Sequence, residues 1–566
     1  MLATGGFAKM KVNSLIPMSN LKIDTIDLVI IIVYIIGILF IGLWSVRKSK
    51  MTSDNYFLAG RGLRWLVVGA ALFASNISTI HMVGLAASGY NDGLVWGNFE
   101  WMAVFTLIIL GLIFAPFYIK TQIATLPEFL EKRYGSASRT FLAFMGILAA
   151  LFIHMGMSLY AGAVVFESFF GISVINSIII ISVITTIYTV VGGLKAVMVT
   201  ESVQTIILIV GAVFVTIFGI LALPEHGINT FAAFKAAAKE GQLSMLHSKE
   251  SLKALSETAS STGLTWYAVL LGYPVMGIWY WCTDQTHVQR VLSARSVDDA
   301  QKGSLFAGVL KILPVFLLVL PGVIGYVLFK DIIGTDANQT FPVLIKELLP
   351  VGLKGIVAAA LLAALMSVLA AALNSSSTLV SVDIVKRMRP STTDKQQVLY
   401  GRIAAVVIMI ISMLWSTQGG KFTSIFEAIN KIAAAMAPPI TTVFLLGVFS
   451  KRGTKEAAIV TLWAGFLLGV VSFCLDFAPI SGKMYITVGL GIPFMMQAWW
   501  LFCINCIIYY AVSYATPKPD PVAIAECTWE SPLAVLTKGK LTGIFDNRLL
   551  AGYLFLAMVI LYAIFG

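Results

Sequence analysis

Long runs of apolar residues dominate the chain, and short polar connections separate them. Each run is long enough for a helix that crosses a bilayer, which takes about 20 residues. The strands of a membrane β-barrel would instead alternate apolar and polar positions. The pattern predicts an all-α membrane protein with fourteen transmembrane helices, at approximately 27–45, 65–90, 95–118, 141–168, 172–192, 196–222, 263–285, 303–329, 350–385, 399–416, 424–449, 456–475, 484–514 and 549–566.

Composition agrees with this prediction. Of the 566 residues, 58% are hydrophobic and only 12% are charged, and the mean hydropathy is +0.89. A soluble globular protein carries about 25% charged residues, so that class is excluded and the lipid bilayer is the expected surrounding. The net charge of +11 comes from basic residues scattered through short loops, which does not favour nucleic-acid binding.

The distribution of Lys and Arg predicts the orientation. Alternate loops hold 24 of the 39 basic side chains on one side and 11 on the other. Cytoplasmic loops carry the excess of positive charge. With an even number of spans, both termini are then expected outside the cell membrane, on the extracellular or periplasmic side. The segment 1–26 has no cleavage site of small residues, so we expect it to be retained.

Two of the apolar runs contain residues that a lipid-facing helix would avoid. The second run has a polar cluster between Ala74 and His81, and the seventh has Gly272, Pro274 and Gly277 close together. Interrupted backbone at membrane depth is tolerated where it is buried in protein or lines a cavity. The interruptions lie five spans apart, as in inverted repeats that hold a substrate between them. The alternative is a pair of kinked helices without such a relationship.

Ionisable side chains inside membrane spans are costly and therefore mark functional candidates. The sequence places six of them within the runs, namely His81, Glu100, His154, Glu201, Lys311 and Lys431. His81 and Glu100 lie on consecutive runs at similar depth and are expected to share a polar cavity, although an ion pair that only joins helices remains the alternative. His154 has no polar neighbours in the sequence, which favours a structural role.

No enzyme signature is present in the sequence. The polar residues do not follow a Ser-His-Asp pattern with a glycine elbow, and there is no phosphate-binding Gly-Lys-Thr loop. Cys503 and Cys506 have a metal-like spacing, but they lie in an apolar, tryptophan-rich run without a second pair. We therefore expect neither an enzyme nor a protein with a cofactor.

Several motifs resemble the sodium/solute symporter family, and in particular its sodium/glucose cotransporter branch. The resemblance covers residues from about 25 to 515. It is carried by Asn76 through His81, Gly97-Asn98-Phe99-Glu100-Trp101, Pro127-Glu128-Phe129, Gly192 through Val197, Trp279 through Gln285, Val288-Gln289-Arg290, Leu310-Lys311, Asn374 through Thr378, and Pro438-Pro439 with the segment Val443 through Gly447.

The resemblance implies a five-plus-five inverted-repeat core, from the second to the eleventh span, that works by alternating access. The expected organisation is an N-terminal segment, a leading helix with its loop, a first repeat, an outer loop, a second repeat and three C-terminal helices, at 1–26, 27–63, 64–222, 223–262, 263–449 and 450–566. The implied substrate site comprises Asn76, His81, Phe99, Glu100, Tyr280, Trp281, Lys311 and Asn430, with Tyr280 as the inner gate. At Asn430 this chain departs from the glutamine of the glucose carriers.

The resemblance also implies a sodium site, with oxygen ligands from the carbonyls of Ala74, Ile77 and Ala364 and from the hydroxyl of Ser367. Val368 stands where the family has a second hydroxyl, so one ligand is missing. Glu201, Ala370 and Ala371 stand at the positions of a second sodium site that some family members have, and we expect that site to be absent here.

The sequence thus predicts sodium-coupled symport of a neutral sugar or polyol, with sodium as the coupling ion. One alternative keeps the fold but weakens the coupling, giving a uniporter, a substrate sensor or a proton-coupled carrier that uses His81, Glu100 or Glu201. Another is a carrier of an organic anion with Lys311 and Lys431 as counter-charges, which the acidic Glu100 makes less favourable.

Overall fold

The computed structural model describes residues 24–50, 52–256, 263–418, 425–531, 534–537, 541 and 543–566. Within these ranges the regular secondary structure is helical, and two isolated β-bridges pair Leu63 with Ala294 and His247 with Thr265. Most of the N-terminal segment 1–26 lies outside the described residues, as does part of the 223–262 loop.

The longer helices follow the apolar runs closely. They are Thr25–Val46, Trp65–Asn76, Thr79–Asp92, Asn98–Ile109, Ser136–Leu148, Met157–Phe170, Val174–Ala222, Trp266–Gly277, Val297–Leu310, Leu320–Ile333, Leu353–Thr378, Asp394–Ser416, Ile425–Phe449, Lys455–Asp476, Phe494–Ala515 and Asn547–Phe565. Shorter helices include Ser53–Leu58, Leu126–Tyr134, Phe231–Ala237, Lys249–Leu255, Gln285–Leu292 and Thr340–Leu348. Short π-helical segments at Leu110–Phe114, Ala149–Gly156, Val315–Val319 and Leu379–Val385 connect consecutive pieces of four spans.

Eleven helical stretches in the described residues are long and apolar enough to cross a membrane. The difference from fourteen has three sources. The second and third runs are joined into a stretch at Thr79–Lys120, the fifth and sixth into one at Val174–His226, and the seventh run is broken into shorter pieces. The number of crossings therefore stays a prediction.

Gly193 explains how the 49-residue helix Val174–Ala222 can hold two crossings. A straight helix of that length would measure about 74 Å, far more than the roughly 30 Å of hydrocarbon. Gly193 has φ of 60° and ψ of −159°, which interrupts the helix at that point. A Cβ atom there would lie 2.5 Å from the carbonyl oxygen of Tyr56, so a side chain does not fit without movement.

The first broken helix comprises Trp65–Asn76 and Thr79–Asp92. Ile77 and Ser78 have extended backbone between the two pieces. The imidazole Nδ1 of His81 accepts a hydrogen bond from the backbone N–H of Ser78 at 3.2 Å and lies 3.0 Å from its hydroxyl. The imidazole thus provides an acceptor for the Ser78 N–H, which the interruption of the helix leaves without its intrahelical partner. The break predicted inside the second run is confirmed.

The second broken helix comprises Trp266–Gly277, a π-helical turn at Ile278–Thr283, and Gln285–Leu292. The break lies at Asp284, which is extended, and not at Pro274, which remains inside the first piece. The expected position was therefore wrong by about ten residues. Proline removes only one backbone donor, whereas the Asp284 carboxylate caps a new helix by accepting from the N–H of Thr286 at 2.7 Å.

Helix Leu353–Thr378 lies at the centre of the bundle, with almost all of its side chains buried. Its N-terminus is held by Asp27, whose carboxylate accepts from the N–H groups of Gly352 and Gly355 at 2.8 and 2.7 Å. A buried carboxylate is stabilised at a helix N-terminus by the free N–H groups and the helix dipole. At the periphery, Thr25–Val46 exposes large apolar side chains, such as Val33 and Phe40, which suits contact with lipid.

Candidate functional site

A cavity lies where the two broken helices meet. It encloses about 850 Å³ of space between atoms, including the part that is open to solvent. Among the residues that line it are all eight of those expected to bind the solute: Asn76, His81, Phe99, Glu100, Tyr280, Trp281, Lys311 and Asn430. The sequence-predicted residues come from five separate segments of the chain, and the fold brings them to one cavity.

A continuous chain of hydrogen bonds crosses this cavity. The ammonium group of Lys311 donates to the carboxylate of Glu100 and to the side-chain oxygen of Asn76. The amide nitrogen of Asn76 donates to the hydroxyl of Tyr280 at 2.9 Å. Lys311 and Glu100 have side chains that are only 1% and 2% exposed, so each charge depends on the other.

His81 lies between the break and this polar chain. Because Nδ1 accepts from the backbone N–H of Ser78, the proton of a neutral imidazole is on Nε2. Nε2 is 4.0 Å from the nearer carboxylate oxygen of Glu100. His81 and Glu100 both line the central cavity, and His81 presents a donor towards it.

Aromatic rings form other parts of the cavity wall. The rings of Phe99 and Tyr273 meet edge to face with centroids 5.9 Å apart, and the Tyr273 hydroxyl donates to the carbonyl of Phe99 at 2.9 Å. The Lys311 ammonium lies 5.4 Å from the centroid of Trp281. Tyr273 was not among the residues expected from the sequence. Its Pro-containing neighbourhood was noted there only for backbone geometry.

The two adjacent polar residues of Ile425–Phe449 face different spaces. Asn430 lines the central cavity, whereas Lys431 lines a separate small pocket with Asp476 and Gln497. The ammonium of Lys431 lies 3.6 Å from the sulfur of Met484. Residues next to each other on a helix point in different directions, so Lys431 does not add its charge to the cavity.

The residues of the expected sodium site come together at the first break. The Ser367 hydroxyl lies 2.9 Å from the carbonyl oxygen of Ala74 and 3.0 Å from that of Ala364, and donates towards both. Ile77 is buried at the break itself. Carbonyl and hydroxyl oxygens suit a hard cation, and the Ser367 hydroxyl can turn a lone pair to a cation. Val368 is on the same helix and lines the central cavity.

The carboxylate of Glu201 pairs with Arg290 and is not available as a ligand for a second sodium ion. Its two carboxylate oxygens accept hydrogen bonds from Nη2 and Nε of Arg290 at 2.5 and 3.3 Å, and both side chains are fully buried. Removing a carboxylate from such a pair would leave a buried positive charge. Glu201 is therefore engaged in joining its helix to the second broken helix.

A cluster that the sequence analysis did not recognise lies beside Tyr280. The Nε2 atom of His154 is 3.2 Å from a carboxylate oxygen of Asp284, and the rings of His154 and His287 have centroids 5.7 Å apart. His154 thus has polar neighbours, contrary to expectation. The seventh run was ended at residue 285, so His287 fell in the loop, and Asp284, the next-to-last residue of the run, was not counted among the ionisable side chains. The three-residue spacing of Asp284 and His287 at the end of an apolar run was the available signal.

Comparison with known proteins decides the family. The model of the sodium:solute symporter family matches residues 56–465. The chain belongs to the sodium:solute symporter family. As a member, it is a membrane transporter and not an enzyme, and sodium is its coupling ion. The region matched contains both broken helices and the complete cavity wall.

Three relatives match over more than 90% of this chain and at least 80% of their own length. The sodium/mannose cotransporter of Bos taurus is 35% identical, over 95% of this chain and 94% of its own. Sodium/glucose cotransporter 4 of Mus musculus is 33% identical, over 94% and 81%. Sodium/myo-inositol cotransporter 2 of Oryctolagus cuniculus is 32% identical, over 91% and 80%.

A solved structure shares the fold of this symporter. A sodium-coupled sialic acid symporter in a substrate-bound, outward-open state superposes with a TM-score of 0.71, at 22% identity, over 88% of this chain and 99% of the other. The expected fold class, an all-α membrane transporter with broken helices, is confirmed by this likeness and by the observed breaks.

Proposed function

We propose that this symporter moves a neutral sugar or polyol into the cell together with sodium. The observation that carries the proposal is the hydrogen-bonded chain of Glu100, Lys311, Asn76 and Tyr280 in a cavity with aromatic walls. Such a surface offers donors and acceptors to ring hydroxyls, while aromatic faces suit the C–H surface of a sugar. The relatives named for mannose, glucose and myo-inositol share the same general chemistry of substrate.

The charge balance of the cavity supports a neutral substrate. Glu100 offsets the positive charge of Lys311, and Lys431 faces another pocket. An organic anion would therefore meet no uncompensated ammonium group from these two residues. We accordingly favour the sugar or polyol over the carboxylate carrier.

We propose that sodium binds between the carbonyls of Ala74, Ile77 and Ala364 and the hydroxyl of Ser367. The position of Ser367 supports this, since its hydroxyl already joins the first broken helix to the central helix. Sodium entry would then be linked to the state of the break. This linkage is the physical basis of coupling, because a ligand shifts a conformational equilibrium only through its differential affinity for the two states.

The decisive experiment is uptake into proteoliposomes. Radiolabelled hexoses, polyols and a carboxylate would each be tested with sodium, potassium and proton gradients imposed separately. We expect saturable uptake of one sugar or polyol, driven by sodium and increased by an inside-negative potential, which contributes about 2.3 kcal/mol per charge per 100 mV. Carboxylate uptake, or uptake driven by protons alone, would contradict the proposal.

Asn430 is proposed to contribute to substrate selectivity. A hydrogen bond is worth about 0.5–1.5 kcal/mol net, so Asn430→Gln is expected to change the preference among hexoses and polyols by about two- to twelvefold, towards glucose or galactose. Competition uptake with a sugar panel measures this ranking. The exposed Asn338→Gln makes the same chemical change as a control. An unchanged ranking in Asn430→Gln would mean that the amide does not contact the solute.

We propose that the two repeats occupy 64–222 and 263–449, each beginning with a broken helix. The two broken helices, which lie five predicted spans apart and line one cavity, support this division. The leading helix at 27–63, the loop at 223–262 and the three final helices at 450–566 would then lie outside the core. The excess of Lys and Arg supports an orientation with both termini outside the cell.

Labelling of introduced cysteines tests this orientation. In a background without native cysteines, Glu240→Cys is expected to react with a membrane-impermeant maleimide in intact cells, because the 223–262 loop should face outward. Lys395→Cys and Lys518→Cys are expected to react only after permeabilisation. All three side chains are exposed, so accessibility reports the side of the membrane. The reverse labelling pattern would overturn the orientation.

A further inference from the structure

His154, Asp284 and His287 place three potential metal ligands together inside the bundle. One ligand atom from each residue lies within 4.8 Å of those of the other two, and all three side chains are buried. His154 also lines the central cavity. The cluster therefore borders the cavity at His154.

The second imidazole of the cluster has a nitrogen without a protein partner. His287 is fully buried, and its Nε2 atom makes no hydrogen bond, whereas Nδ1 lies 3.3 Å from the hydroxyl of Ser75. An unsatisfied buried polar atom costs about 1–3 kcal/mol and calls for an explanation. The contact at Nδ1 would hold the ring while Nε2 binds an ion, which is the usual arrangement for a metal-bound histidine.

The charges around the cluster also favour a cation. Lys311 pairs with Glu100 and Arg290 with Glu201. Among the described residues, the ion-pair partner of Asp284 is the imidazole of His154, and the neutral N–H of Thr286 supplies a further hydrogen bond. When both imidazoles are neutral, no positive charge offsets the negative charge of the Asp284 carboxylate. A bound cation would compensate it in the buried interior, where an unpaired charge is expensive.

We propose that His154, Asp284 and His287 form a site for a divalent transition-metal ion of the Zn²⁺ type, with water in the remaining position. Two imidazole nitrogens and one carboxylate oxygen suit Zn²⁺, Co²⁺ and Ni²⁺ better than sodium, which prefers oxygen. In a tetrahedral zinc site the ligand atoms are about 3.3 Å apart. His154 Nε2 and a carboxylate oxygen of Asp284 already have this separation, at 3.2 Å, and the ligand atoms of all three residues lie within 4.8 Å of one another.

An ion bound at this site would inhibit the transport cycle. His154 lies on the helical stretch Ser136–Glu167, in the first of the proposed repeats, and the other two ligands lie on the second broken helix, in the second repeat. Alternating access requires elements of the core to move against each other. An ion that binds both would favour one arrangement and slow the exchange. Inhibition rests on the proposed transport function, whereas metal binding does not.

The binding test uses purified full-length protein in detergent, with Zn²⁺ in equilibrium dialysis and Co²⁺ as a probe with visible absorption. His287→Asn puts an amide near the position of Nδ1 and removes Nε2, and His154→Gln keeps a donor for Asp284. The exposed His226→Gln is the matched control. We expect one equivalent of Zn²⁺ for the wild type and the control, and an affinity at least 10- to 100-fold weaker in both cluster variants.

The transport test adds micromolar Zn²⁺ to proteoliposomes. Zn²⁺ is expected to inhibit uptake by the wild type and by His226→Gln, with recovery after EDTA, and each cluster variant that retains uptake should need at least tenfold more Zn²⁺. Thermal melting would establish that each variant is folded. The proposed metal site would be overturned if the wild type failed to bind Zn²⁺, or if His287→Asn and His154→Gln bound Zn²⁺ as tightly as the wild type. Binding without inhibition would overturn only its effect on transport.

Discussion

Replacement of Glu100 by glutamine is expected to reduce solute uptake by about 10- to 150-fold. The carboxylate accepts a hydrogen bond from Lys311 and faces the cavity beside His81, and hydrogen bonds to charged groups are worth about 1.5–3 kcal/mol. Glutamine keeps the size and one acceptor oxygen but removes the charge. Initial uptake rates in proteoliposomes, at a fixed sodium gradient, provide the measurement.

Lys311→Met separates a binding role of Glu100 from a purely structural one. Breaking a buried ion pair by removing one partner costs about 3–5 kcal/mol, because the other charge is left unpaired. If the pair only joins helices, the double variant Glu100→Gln with Lys311→Met should recover both thermal stability and uptake. If the pair binds the solute, stability should recover while uptake remains low.

A matched change elsewhere completes this test. Glu456→Gln makes the same substitution in a side chain that is 41% exposed, next to Lys455 on a peripheral helix. It should leave uptake and melting temperature unchanged, because exposed ion pairs contribute little. Uptake by Glu100→Gln within twofold of the wild type would remove Glu100 from the substrate site.

Sequence patterns predicted the first break well because its cause is local. Asn76, Ser78 and His81 are polar residues in mid-span, and the contact between His81 and the Ser78 backbone spans only three positions. The second break depends on Asp284, a helix cap at the end of an apolar run, while Pro274 was accommodated within the helix. Proline is a strong signal in a sequence, but its effect depends on how neighbours satisfy the freed carbonyls.

The candidate site could be predicted mainly through the family resemblance, and the remaining features required three dimensions. No pattern along the chain places His154 beside Asp284, since 130 positions separate them. The pairing of Glu201 with Arg290 across 89 positions was equally hidden. Long-range polar pairs follow from how helices cross, which hydropathy does not specify. Burial of individual charges was predictable, but their partners were not.

The sodium dependence of transport should respond strongly to two adjacent positions of the central helix. Ser367→Ala removes the hydroxyl that lies 2.9 and 3.0 Å from the carbonyls of Ala74 and Ala364. Loss of one oxygen ligand is expected to cost about 1–3 kcal/mol, or about five- to 150-fold in sodium affinity. The sodium concentration for half-maximal uptake should rise accordingly, at constant ionic strength maintained with choline.

Val368→Thr should have the opposite effect. Threonine has nearly the volume of valine but adds a hydroxyl where the family has one, so the sodium requirement should fall by a similar factor. Val368 is only 4% exposed and lines the cavity, so the apparent affinity for solute must also be measured at saturating sodium. A change in sodium affinity with little change in solute affinity would assign the new oxygen to the ion site.

Val357→Thr provides the control for the added hydroxyl, since it makes the same change on the same buried helix, about 16 Å from Val368 along the axis. It should leave the sodium requirement unaltered. Wild-type uptake that already saturates at low millimolar sodium and ignores both Ser367→Ala and Val368→Thr would place the ion elsewhere. If Val368→Thr lowers the sodium requirement and the control Val357→Thr does not, the wild-type symporter works with an incomplete ligand set, and its sodium affinity is limited by that single missing oxygen.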